Sequence, residues 1–87
     1  MPYIQTSHRK YLAQGGLPTG VGELNYLVTM AVWEWVKRNG ISYATINNAI
    51  GVLECAKLEL YRRIASPYEN KKLNENGDVY AEKETQG

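Results

Sequence analysis

The side chains of this 87-residue chain that could do chemistry are few, and their types favour holding a ligand over transforming one. Catalysis needs a positioned acid, base or nucleophile. Here a single histidine, His8, stands in a basic triplet with Arg9 and Lys10, and a single cysteine, Cys55, sits inside an apolar run. No paired carboxylates and no metal-ligand spacing appear, and His8 with Cys55 is too small a set for a zinc site. The expectation is no catalytic residue, no metal and no cofactor. The stretch QGGLPTGVG, 14–22, holds four of the eight glycines. Backbone amides in such a loop ahead of a helix can hold a phosphate. A phosphate loop, however, requires Lys and then Ser or Thr after its last glycine, and here Gly22 is followed by Glu23 and Leu24. A linker is the simpler reading. What remains is an inventory for recognition: Tyr26 and Tyr61 as stacking rings, Asn25 and Asn47 as amides for base edges, Arg62 and Arg63 as cations for phosphates. The plainer alternative places the asparagines in first turns of helices and the arginines in surface ion pairs with Glu59.

The elements that must position these residues are helices, so the fold class is all-α. From Ser42 to Ser66, Ile46, Ile50, Leu53, Ala56, Leu60 and Ile64 recur at steps of three and four, which lines them along one side of a helix. Ser42 is its N-cap and Pro67 its expected end. A second helix covers Glu23 to Asn39, with Glu23 near its positive end, Lys37 and Arg38 near its negative end, and Gly40 as its stop. Leu24, Leu27, Val28, Ala31 and Trp35 form one stripe on it, and Tyr26, Met30 and Trp33 another. The tight Asn39-Gly40-Ile41 connection predicts an antiparallel helical hairpin of about 22–39 and 42–66. Ahead of it lie a short arm, Met1 to Gln5, and two turns of helix from Thr6 to Ala13, capped by Thr6 or Ser7. After it, YENKKLNEN adds a short C-terminal extension closed by Gly77. Residues 1–80 are expected to form one helical domain and 81–87 a mobile tail.

Two stripes need two partners, and a domain this short covers its apolar surface poorly by itself, so a homo-oligomer is expected. Glycine within a helix costs roughly 1 kcal/mol against alanine, so Gly51 is expected to mark a close helix crossing or a pocket floor. A net charge of +1 offers no field for nucleic acid or an anionic membrane, and no apolar run reaches the ~20 residues of a membrane span. The N-terminus lacks the apolar core of a signal peptide, and one unpaired cysteine suits a reducing compartment, so the expected location is cytoplasmic, in a host cell.

The segments MPYI, GELNYLVT (22–29), ISYATINNAIGVLECAKLELYRR (41–63) and PYENKKLNENGDVY (67–80) resemble a family of short helical proteins carried by phages, prophages and some bacteria. The resemblance covers most of the chain and departs mainly between Thr6 and Val21 and beyond Tyr80. It implies a phage-associated helical fold and carries over no functional residues.

By analogy with small phage homo-oligomers that sequester nucleotide immune signals, the function expected is sequestration without cleavage. A cyclic or ADP-ribose-type nucleotide would be held by Asn25, Tyr26, Asn47, Tyr61 and Arg62 where subunits meet, countering host defence. The competing expectation is a helical adaptor or structural phage protein whose apolar stripes bind protein and which holds no small ligand.

Overall fold

In the computed structural model, which describes residues 1–80, every regular element is helical. Helix α1 spans Thr6–Ala13, α2 spans Val21–Asn39 and α3 spans Tyr43–Leu60. The backbone then runs without a break through a π-turn at Tyr61–Ala65 into α4, Ser66–Asn76. The described chain divides into two compact units, one of residues 1–49 and one from Ile50 onward.

Local chemistry explains most boundaries. Ser42 caps α3 as expected: its hydroxyl lies 3.2 Å from the Thr45 amide, which donates to it, and 3.0 Å from the Thr45 hydroxyl. Gly40 ends α2 at φ +88°, a left-handed value that a side chain would resist, and its amide bonds back to the Lys37 carbonyl. Gly77 ends α4 in the same way at φ +88°. Helix α1 differs from expectation at its start. The cap position is Gln5, and neither Thr6 nor Ser7 supplies it.

The larger departure is at Pro67. The ring was expected to end the helix near residue 66, because it lacks an N–H and crowds the carbonyl four residues back. Instead the ladder widens just ahead of it. The Ser66 amide bonds to the Tyr61 carbonyl five residues back, and Pro67 becomes an early residue of α4, where its missing donor is harmless. Helical structure therefore continues ten residues past the expected end, to Asn76.

The first unit holds the buried apolar residues: Leu12 from α1, Val36 from α2 and Ala49 from α3. Around them the N-terminal arm is tied down. The Ile4 carbonyl accepts a 3.0 Å bond from Arg9 Nε, and the same guanidinium stands 5.7 Å from the centre of the Tyr26 ring. The arm leans on the start of α2 at Gly22, where a β-carbon would lie 3.2 Å from Ile4. The Tyr11 ring lies so close to Gly16 that any side chain there would collide with it. In the second unit, α3 from Ile50 onward leaves its apolar side chains in solvent. Ile50, Val52, Leu53, Leu58 and Leu60 are all exposed, as is Ile64 in the π-turn.

Candidate functional site

Chemistry-bearing groups gather in two places, one in each unit. In the first, the loop ahead of α2 does not offer its amides to an external anion, because Glu23 occupies that position. Its Oε1 accepts 2.8 Å from the Thr19 amide and 3.0 Å from the Thr19 hydroxyl, an arrangement close to a capping box. Its Oε2 lies 3.8 Å from His8 Nδ1. The hydrogen bonds from Thr19, first of all the one from its amide, hold the Glu23 carboxyl below its usual value. A carboxylate already neutralises this helix start, so a phosphate would meet like charge. Nor is this a nucleophile site. The Thr19 hydroxyl donates to the carboxylate, whereas an activated nucleophile gives its proton to an imidazole.

The second place is a pocket of ≈ 600 Å³ in the second unit, walled by Tyr61, Tyr68 and Tyr80 with Glu69, Lys72 and Asp78 among its polar groups. The π-turn helps build it. In an unbroken α-helix, Tyr61 and Glu69, eight residues apart, would point about 80° away from each other. One extra residue in a widened turn makes them behave as seven apart, within about 20°, so both face the same side. Hydrogen bonding to Glu69, then the charge of that carboxylate, push the Tyr61 phenol up from its ordinary value. Lys72 sits 5.6 Å from the Tyr68 ring centre and 3.2 Å from Glu75. The turn at Gly77 brings residues 78–80 to the pocket's edge, where Asp78 Oδ1 accepts a 2.8 Å bond from the Tyr80 amide.

Of the five residues expected to bind a ligand, Asn25, Tyr26 and Asn47 belong to the first unit, and Tyr61 and Arg62 to the second. Asn25 is exposed on α2, and its Oδ1 accepts 3.0 Å from the Thr29 hydroxyl. Tyr26 is half-buried under Arg9. Asn47 is exposed on α3. Tyr61 lines the pocket, whereas Arg62 is exposed and is not part of the lining. Sequence reasoning missed Tyr68, Glu69 and Asp78. The signal that could have found them was Pro67 itself, since a proline inside a helix often comes with a widened turn.

The sequence pattern of a domain of unknown function, DUF6899, matches residues 1–79. The chain belongs to that family. The DUF6899 match runs across both units and takes in all of α1 to α4. No curated protein and no solved structure matches the chain. Among the described residues no cluster of three or more His, Cys, Asp or Glu could hold a metal, and no helix is long and apolar enough to cross a membrane.

Proposed function

We propose that this DUF6899 protein is a non-catalytic binding protein that works as an assembly of identical chains, with α3 as the assembly surface. The observation that carries the reading is the exposure of Ile50, Val52, Leu53, Leu58 and Leu60 around a single helix. A helix apolar on several sides is normally buried on several sides, and one chain does not bury this one. In the same reading, α2 and the opening turns of α3 form the helical hairpin expected from the sequence. The burial of Val36 and Ala49, on either side of the Gly40 stop, supports it.

The ligand attached to this proposal is a small nucleotide held without cleavage, with Asn25, Tyr26, Asn47, Tyr61 and Arg62 as its recognition groups. Its support is chemical type: exposed amides, rings and a guanidinium are what base edges, base faces and phosphates require. The setting, a phage protein that withdraws a host immune signal in the cytoplasm, rests on the resemblance and analogy drawn from the sequence.

Sedimentation velocity over a concentration series tests assembly, and analysis of material released on denaturation tests the ligand. Assembly with an intact nucleotide released supports the whole reading. Assembly without any nucleotide, after incubation with a panel of signalling nucleotides, leaves a protein-binding adaptor. A nucleotide recovered in altered form overturns the non-catalytic reading.

A further inference from the structure

The pocket between the π-turn, α4 and residues 77–80 has walls of one chemical character. Three tyrosine rings present faces that carry partial negative charge and attract cations. Two carboxylates, Glu69 and Asp78, add full negative charge. The one ammonium in the lining, Lys72, is already answered at 3.2 Å by Glu75, which lies outside the lining. Counting that pair as neutral leaves the pocket with the charge of two carboxylates. We propose that this pocket binds an organic polycation of the polyamine class, with Glu69 and Asp78 pairing its ammonium groups and the tyrosine rings covering its methylene segments.

Three further observations support that class. The volume, ≈ 600 Å³, falls inside the range of small-molecule sites, roughly 300–1,000 Å³, and exceeds what a single inorganic cation needs. Lys72 over Tyr68 shows that an alkylammonium already rests on one of these rings, at 5.6 Å. The Tyr61 hydroxyl is turned onto Glu69, which fixes the carboxylate and leaves its charge in place. A flexible methylene chain with spaced ammonium groups matches rings and carboxylates that alternate around one groove. The site is independent of the nucleotide reading, because phosphates would meet two carboxylates here.

The probe is spermidine, titrated calorimetrically into the whole chain at physiological salt, with magnesium at matched ionic strength and adenosine monophosphate as comparison arms. The expected result is saturable spermidine binding that magnesium does not displace and that the nucleotide does not imitate. Glu69→Gln should weaken it about tenfold, the scale of one charged hydrogen bond, with helix content unchanged by circular dichroism. Tyr68→Leu, which removes a ring and no charge, should also weaken it. No saturable binding at millimolar spermidine overturns the proposal. So does full displacement by magnesium, or a Glu69→Gln chain that is folded and binds as tightly as the native one.

Discussion

If α3 is the assembly surface, a charge placed on it should dissolve the assembly, and Ile50 is the position to use. It keeps 59% of its surface exposed in the single chain, the neighbouring Leu53 40%, and neither lies against the buried residues of the first unit. Fully burying an isoleucine is worth about 1.5–3 kcal/mol, so covering what Ile50 leaves exposed is worth about 0.9–1.8 kcal/mol per chain. A symmetric pair contains two copies, and Ile50→Lys therefore removes about 2–3.5 kcal/mol from association. On the usual scale of 1.4 kcal/mol per decade this raises the dissociation constant about 30- to 400-fold, before any cost of desolvating the ammonium. The fold of one chain should survive, because the replaced side chain is in solvent there and lysine is a good helix former. Sedimentation velocity from low to high micromolar concentration, with circular dichroism as the check on helix content, reads both effects. Equal self-association of native and variant chains would refute the role of Ile50. A single 9.8 kDa species at every concentration of the native chain would refute assembly altogether.

Three further outcomes follow from local geometry. Pro67→Ala restores a backbone donor and should let the π-turn close to α-helix, raising stability by about 1–3 kcal/mol and turning Tyr61 away from Glu69. Thermal unfolding and ultraviolet titration of the tyrosines check the two halves, and a more stable chain whose phenol titration is unchanged would show that the turn does not depend on the proline. Glu23 titrates below its ordinary value of 4.5, so its stabilising contribution is present above that value and is lost as pH falls through the lower folded value. Melting temperatures measured from neutral pH downward should therefore fall less steeply below about pH 4.5 in Glu23→Gln than in the native chain. Gly51 has open space where a β-carbon would stand, so Gly51→Ala should stabilise the single helix by about 0.5–1 kcal/mol. Destabilisation of the assembled protein by that methyl group would place another chain against Gly51.

The sequence by itself determined whatever depends on residues within a turn or two of each other. Ser42 as the cap of α3, Gly40 as the stop of α2, Thr6–Ala13 as α1 and the all-helical class follow from capping, left-handed glycine and apolar spacing, which act at short range. Of the expected ligand residues, sequence chose the types, and only Tyr61 came to lie in a formed pocket. The 81–87 tail lies outside the described residues. What the tertiary structure decided were choices between two locally acceptable outcomes. Pro67 could end a helix or widen it, and widening was selected where Tyr61, Tyr68 and Glu69 meet across the shifted register. The glycine-rich loop could hold an external anion or an internal one, and the Glu23 carboxylate filled the place. Gly51 could mark a crossing within the chain, yet nothing comes within 4 Å of its missing β-carbon. Apolar periodicity states that a face needs cover without stating what covers it. Leu12, Val36 and Ala49 found theirs in the first unit, and the apolar side chains of α3 from Ile50 onward did not, because burial is a relation between surfaces that are distant in sequence.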